Sequence, residues 1–182
     1  KNFIQKNQRI FAEMSLMKRL TFIISTMIFA VFNSCGVYSP YGASTSGAQA
    51  FSVSAFEAIH PLVSASSALS ISEALVDRVQ RQSTLKLNRD KAELVFSGRV
   101  VGWLVQPINV QGDETASANR VTITVDVVYT NTIDESLSFQ RKFSRFVDVP
   151  SSSDIFSIED QIVTEIGELL SLDIFNASLG NW

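Results

Sequence analysis

The most constraining stretch of the sequence is the alternation from Arg120 to Tyr129. Apolar side chains occupy every second position and share one face, whereas Thr122, Thr124 and Asp126 share the other. A period of two residues over this length is typical of a half-buried strand in an antiparallel sheet. The apolar set is Val121, Ile123, Val125, Val127 and Tyr129. The chain therefore needs further strands beside this one and a second apolar layer against its buried face.

Three other segments have strand character: 51–56, 93–105 and 137–147. The second and the third contain irregularities. Gly98 and Gly102 interrupt the second segment and predict a bulge or a strong bend there. In the third segment, Phe139 and Phe143 are in one phase and Phe146 is in the other, which predicts a bulge near residues 142–145. A polar loop is predicted at 107–119 and a hairpin turn at 131–135.

Two segments have the period of an amphipathic helix. The first begins near Ser67, with Ser70 and Glu73 in capping-box spacing, and ends near Gln82. The second follows Pro150 and carries an apolar stripe from Ile155 to Ile174. The order is β-α-β-β-β-α. It predicts an α+β, two-layer sandwich in which both helices cover one face of a four-stranded, mostly antiparallel sheet.

The N-terminal segment from Met17 to Gly36 predicts export. Lys18 and Arg19 precede an apolar run from Leu20 to Phe32, and small polar residues lead to Cys35, the only cysteine. A positive start, a short apolar core and a small residue before a cut describe a secretory signal peptide. A lone cysteine at the cut favours a lipoprotein signal, in which Cys35 receives a diacylglycerol and, after cleavage, an N-acyl chain.

The alternative for this segment is a transmembrane helix. Its apolar run is shorter than the roughly 20 residues that span a bilayer, and no charge follows it as a stop-transfer flank. The lipobox is imperfect, because Phe32 and Asn33 stand where Leu and a small residue are usual. The expected organisation is residues 1–34 as an upstream extension and cleaved signal peptide, 35–50 as a flexible tether, and 51–182 as the folded domain.

Charge divides sharply at the expected cut. Residues 1–34 have a net charge of +4 and residues 35–182 a net charge of −7. An acidic domain argues against nucleic acid as a partner, since nucleic-acid binding needs a basic face. One cysteine and one histidine cannot build a Cys/His metal site, so no metal and no cofactor beyond the acyl chains on Cys35 are expected.

The candidate chemistry is correspondingly sparse. His60 precedes Pro61 in a turn and has no nucleophile motif near it, and Asp113 and Glu114 lie on a polar loop. Three cations on the last strand could meet anionic groups: Arg141, Lys142 and Arg145. The alternative role for those on the last strand is to discourage edge pairing. No enzymatic activity is expected.

Several stretches of the chain resemble the LptE-type lipopolysaccharide-assembly lipoproteins. They are CGVYS at 35–39, RQSTLKL at 81–87, ETASANRVTITV at 114–125, FSRF at 143–146 and DIFNASLGNW at 173–182. The resemblance implies a non-enzymatic lipoprotein anchored through Cys35 in the periplasmic leaflet of the outer membrane. Its implied partners are an LptD-type β-barrel, which it plugs and helps to assemble, and lipopolysaccharide, whose insertion it assists.

The absence of Asp after Cys35 agrees with the outer membrane as the destination, because Asp at that position often accompanies inner-membrane retention in lipoproteins. Within the implied family role, the candidates for contact with lipopolysaccharide phosphates are four cations on neighbouring strands: Arg120, Arg141, Lys142 and Arg145. The alternative is a stand-alone lipid- or glycan-binding outer-membrane lipoprotein. That alternative predicts a concave apolar pocket between the helices and the sheet.

Overall fold

The computed structural model describes residues 43–109 and 117–180. The predictions for the signal peptide, for Cys35 and for the tether up to residue 42 lie outside the described residues, as do Asp113 and Glu114. The strands are β1 Ala50–Val53, β2 Glu57–Ala58, β3 Lys86–Leu87, β4 Leu94–Asn109, β5 Ser117–Asn131 and β6 Phe139–Pro150. The helices are α1 Ala65–Gln82 and α2 Glu159–Leu179, and Glu135–Leu137 forms a 3-10 turn.

The strands form one mixed, six-stranded sheet in the order β3-β1-β4-β5-β6, with β2 also paired to β4. β1 runs parallel to β3 and β4, and β2 runs parallel to β4. β4, β5 and β6 form an antiparallel meander. The prediction of four strands in a mostly antiparallel sheet was therefore wrong. β2 and β3 have two residues each, too few to show an alternation, and α1 returns the chain so that β1 and β4 pair in parallel.

The meander is longer and more regular than expected. β4 extends to Asn109 and β5 begins at Ser117, so both strands enter the predicted polar loop at 107–119. The register of β4 and β5 shifts between Val100 and Gly102, which confirms the predicted irregularity there. The prediction of a bulge near residues 142–145 was wrong. β6 pairs with β5 without a break over its whole length, from Phe139 opposite Tyr129 to Pro150 opposite Ala118, and Phe146 faces away from the core.

α1 begins at Ala65, two residues before the predicted start near Ser67. Ser64 is its N-cap, and the Ser64 hydroxyl oxygen accepts the backbone N–H of Ser67 at 3.0 Å. The predicted end at Gln82 is confirmed. The two helices pack together at Gly167 of α2, which lies against Ile71 and Ala74 of α1.

The core lies between the helices and one face of the sheet. Its most deeply buried side chains are 1% exposed or less and come from both layers. They include Ile71, Leu75, Ile166 and Leu170 of the helices and Phe96, Val125 and Val127 of the sheet. The other face of the sheet, here called the open face, carries Thr122, Thr124, Asp126 and Val128 of β5. The architecture is thus the predicted two-layer α+β arrangement on a larger sheet. Within the described residues, neither helix combines the length and the apolar character needed to cross a membrane.

Candidate functional site

Strand alternation divides the four candidate cations between two faces of the sheet. Arg120 shares the phase of Thr122, and Lys142 pairs in register with Asp126, so both lie on the open face. Arg141 and Arg145 share the phase of the buried residues 143 and 147, so both lie on the helix-facing side of the edge strand β6. Even on the open face, Arg120 and Lys142 are six register positions apart, about 20 Å along the strands. The structure therefore does not bring the four cations into one cluster.

Arg120 is occupied by groups of its own sheet. Its guanidinium donates to both carboxylate oxygens of Asp148, at 2.7 and 2.8 Å, and lies 3.8 Å from the ring centroid of Phe146. The hydrogen bond to Asp148 raises the pKa of Arg120, and the same bond lowers the pKa of Asp148. Both side chains stay charged across the physiological range, so the pair carries no net charge.

Arg145 links the edge strand to α2. Its Nε and Nη2 donate to the two carboxylate oxygens of Asp173, each at 2.5 Å. The hydrogen bond with Asp173 raises the pKa of Arg145. A bidentate pair of this kind fixes orientation as well as charge, so Arg145 positions β6 against the C-terminal half of α2.

Arg141 and Lys142 remain available to an external anion. The guanidinium carbon of Arg141 lies 5.4 Å from the ring centroid of Phe139, and the residue is exposed. Lys142 is exposed on the open face. Within the described part of the chain, neither side chain has an ion pair. They lie next to each other on one strand and point to opposite faces, so one anionic group can meet both only around the edge of β6.

The open face also holds a charge network that the sequence does not reveal. Asp126 is only 8% exposed, and its Oδ2 accepts from Arg99 of β4 at 2.9 Å and from Gln140 of β6 at 3.0 Å. Asp126 was correctly placed among the outward residues of β5. Its partners could not be named, because they depend on the register of three strands and on the shift before Gly102.

His60, the residue on which a hydrolytic site would have depended, has a structural role. Nδ1 of His60 accepts the backbone N–H of Leu62 at 3.3 Å, within the turn before α1. Over residues 43–109 and 117–180, no group of three or more His, Cys, Asp or Glu side chains could hold a metal ion. Buried side chains fill the space between the helices and the sheet, where a lipid- or glycan-binding pocket would be expected.

These features define a class of protein before they define a family. The chain folds as a small two-layer α+β domain, and its polar side chains form ion pairs across strands and between strand and helix.

Sequence comparison identifies the family. Residues 48–178 match the model of the LptE family, described as lipopolysaccharide-assembly, and the chain belongs to that family. The predicted resemblance is thereby confirmed. The family consists of non-enzymatic lipopolysaccharide-assembly lipoproteins, and the chain shares that general role. The comparison with curated protein sequences found no match.

Solved structures of bacterial lipoproteins show distant similarity in shape. A minor lipoprotein from Acinetobacter baumannii has a TM-score of 0.43 at 10% identity, over 72% of this chain and 96% of the other. An uncharacterized lipoprotein B from Nitrosomonas europaea has a TM-score of 0.43 at 10% identity, over 70% of this chain and 80% of the other. Similarities at this level add nothing to the family assignment.

Proposed function

We propose that this protein is an outer-membrane lipoprotein subunit that plugs an LptD-type β-barrel, helps it to assemble, and assists insertion of lipopolysaccharide into the outer membrane. The observation that carries the proposal is the family match over residues 48–178. The work is binding and positioning, with no chemical turnover.

The proposed anchor is Cys35. A positive flank, a short apolar run and the only cysteine of the chain follow one another in residues 17–36. Each acyl CH₂ group placed in a bilayer contributes about 0.8 kcal/mol, so the diacylglycerol and the N-acyl chain together hold the protein firmly at the periplasmic leaflet. Mass spectrometry of the protein purified from membranes should find these acyl groups on an N-terminal Cys35.

The open face of the sheet suits enclosure by a polar barrel lumen. Thr124 and Ser144 are hydrogen-bonded across β5 and β6 at 3.0 Å. Arg120 is neutralised by Asp148, and Asp126 by Arg99. These hydroxyls and internally paired charges can be covered by other polar groups without leaving an unpaired buried charge. Lys142, on the same face, has no such partner in the described structure and would need an acidic group of the barrel or contact with water, and Phe146 and Val128 add apolar area to the face.

Co-purification tests whether the protein associates with a β-barrel. The chain with a C-terminal affinity tag should bring down a large β-barrel from detergent-solubilised outer membrane. A Cys35→Ala variant exported to the periplasm separates anchoring from barrel contact, because it lacks the acyl groups and should still associate with the barrel. Recovery of the anchored protein alone, with no barrel, would contradict the proposal.

Direct contact with lipopolysaccharide is proposed for Arg141 and Lys142 first. Both are exposed, and neither is neutralised by a carboxylate in the described structure. Arg120 and Arg145 can join such a contact only by sharing or leaving Asp148 and Asp173. Lipopolysaccharide carries phosphates, and guanidinium and ammonium groups recognise them.

A further inference from the structure

β4 is an edge strand over its second half. On the side away from β5, β1 pairs with residues 94–96 of β4, and β2 pairs with Arg99 and Val100. β4 itself continues to Asn109. Within residues 43–109 and 117–180, no other strand pairs with this side of β4 beyond Val100. Residues 101–107 are called the bare edge below.

The register determines which backbone groups the bare edge presents. The carbonyl oxygens of Phe96 and Val100 accept N–H groups from the β1–β2 side at 2.9 and 3.1 Å, so even-numbered residues point away from β5 before the register shift. The shift between Val100 and Gly102 inserts one residue and reverses this phase. After the shift, odd-numbered residues point away from β5, so the N–H and carbonyl groups of Trp103 and Val105 lie on the free side.

Pro107 supports this assignment and limits the bare edge. Proline has no N–H, and in a sheet it occupies positions whose nitrogen faces away from the neighbouring strand. Residue 107 is odd-numbered and is therefore such a position. A strand that pairs with the bare edge ends near Pro107, and β2 stops it at Val100. The space between them accepts about five residues, a common length for a strand.

The bare edge has no charged side chain of its own. No Asp, Glu, Lys or Arg occurs from residue 101 to residue 109, and Leu104 and Val105 are 51% and 37% exposed. Proteins usually protect an exposed edge with charged side chains. β6, the edge strand on the opposite side, carries three cations between residues 141 and 145. The bare edge is therefore the part of the sheet best suited to pair with another chain.

We propose that the bare edge binds an extended segment of the barrel chain, which adds to the sheet as a further strand beside β4. The inference rests on the proposed association with an LptD-type barrel. A closed barrel leaves no strand edge of its own, so the segment comes from a loop or turn of the barrel chain. Backbone hydrogen bonds to Trp103 and Val105 provide affinity, and uncharged side chains of the segment pack beside Leu104.

The open face favours the barrel chain as the source of this strand. Leu104, Thr122 and Phe146 lie opposite one another across β4, β5 and β6, and Leu104 belongs to the bare edge. Leu104 is 51% exposed and Phe146 is 46% exposed on the face proposed to meet the lumen. A strand beside β4 continues that face, so the barrel chain can cover the face and pair with its edge in one contact surface.

Hydrogen exchange of single backbone amides tests the pairing. The detergent-solubilised protein is compared alone and in complex with the co-purified barrel. In the complex, the amides of Trp103 and Val105 should exchange at least about 100-fold more slowly, because they gain hydrogen bonds. The amide of Leu104 points to β5 in both samples and should change little. The control amides are those of Lys142 and Ser144, which point to the free side of β6 and should also change little.

Two results of the exchange experiment would overturn the inference. The first is no slowing at Trp103 and Val105 in the complex. The second is equal slowing at the bare edge and at the free side of β6, since enclosure without strand pairing has that effect.

A proline substitution tests the same pairing through barrel recovery. Val105→Pro removes one N–H on the free side and leaves the amides that point to β5 intact, so the fold should persist in circular dichroism. Recovery of the barrel with the tagged variant should fall several-fold. Val105→Ala is the matched control, because it shortens the side chain, keeps the N–H and should recover the barrel nearly as wild type. Equal losses in the two variants would contradict backbone pairing. Should Val105→Pro unfold, amide exchange in the wild-type complex decides alone.

The outcomes separate this inference from the proposed function. If the tagged protein recovers the barrel and the amides of Trp103 and Val105 do not slow, the barrel association stands and the inference fails. If no barrel is recovered, the proposed function fails and the inference fails with it. Light scattering detects the other occupant, a second copy of this chain. A dimer that Val105→Pro dissociates would assign the bare edge to self-association and overturn the inference.

Discussion

Gly98 of β4 lies so close beneath the ring of Phe56 that a Cβ atom at residue 98 would come within 2.8 Å of two ring carbons. Phe56 is 5% exposed and belongs to the core, so its ring has no free space into which to move. Gly98→Ala should therefore lower the free energy of unfolding by about 1–3 kcal/mol, the usual cost of overpacking. Chemical denaturation of the two proteins measures the difference.

A double-mutant cycle with Phe56→Leu is the control for this prediction. Replacing the ring removes the atoms that the new methyl group would meet, so Gly98→Ala should cost much less in the Phe56→Leu background. Strictly additive effects would show that the glycine is required for a reason other than the close approach of the ring.

Gly167→Ala should have the opposite sign. A Cβ atom there would lie 3.6 Å from the Cβ of Ala74 and 3.7 Å from Ile71, which is ordinary contact. Alanine is favoured over glycine inside a helix by up to about 1 kcal/mol. We expect the variant to unfold at a higher denaturant concentration than the wild-type protein. A loss of stability would mean that the two helices cannot tolerate a methyl group between them.

The elements that could be predicted from the sequence are the long ones, in which a periodic pattern of apolar residues has room to repeat. The alternation from Val121 to Tyr129 gave the central strand β5 and its buried face, and the stripes of the two helices gave the second layer. β2 and β3 were not predictable, since a two-residue strand exists only through its neighbours. The parallel pairing of β1 with β4 likewise depends on tertiary packing.

For the candidate site, the sequence predicts which cations lie on which strands. It does not predict the side chains with which those cations form contacts. Phe146 was interpreted as evidence for a bulge, because an apolar side chain out of phase was expected to return to the core. It stays on the open face, where the guanidinium of Arg120 covers its ring at 3.8 Å. The partner of Arg145 comes from α2, 28 positions along the chain, and no local pattern indicates a contact of that kind.

Stability in acid should depend on Glu93. Backbone N–H donation from Ala50 is the largest cause that holds the pKa of Glu93 below its ordinary value of 4.5. A carboxylate with a lowered pKa in the folded state stabilises fully above its unfolded pKa, and the contribution is lost as pH falls through the folded value. Glu93→Gln should therefore be less stable than wild type at neutral pH, and the difference should shrink as pH falls below 4.5.

Glu135→Gln is the matched control for the pH prediction. Glu135 is exposed, and within the described structure its carboxylate accepts no hydrogen bond. Urea unfolding at several pH values compares the three proteins. If the Glu93→Gln and Glu135→Gln curves run parallel to each other down to acid pH, the backbone hydrogen bonds to Glu93 do not contribute to stability.

The ion pair between Arg145 and Asp173 should contribute modestly to stability. The two side chains are 46% and 25% exposed, so solvent weakens the attraction. A double-mutant cycle with Arg145→Ala and Asp173→Ala should give a coupling free energy of about 0.5–1 kcal/mol, decreasing with added salt. Charge reversal at Arg145 would place two carboxylates together, so Arg145→Glu should destabilise the fold beyond the loss of the pair. A coupling near zero would show that the pair forms without contributing.

Lipopolysaccharide binding is therefore best tested at Arg141 and Lys142, where the charge can change without breaking an ion pair of the described structure. The double variant Arg141→Gln, Lys142→Gln should bind lipopolysaccharide several-fold more weakly, since each exposed charge pair in water contributes up to about 1 kcal/mol. Lys86→Gln, Lys91→Gln removes the same charge from β3, the other edge strand of the sheet, and from the segment that follows it, and should bind nearly as wild type. Affinity is measured on detergent-solubilised protein at two salt concentrations. Equal losses in both variants would mean that overall charge, and not the β6 edge, governs the interaction.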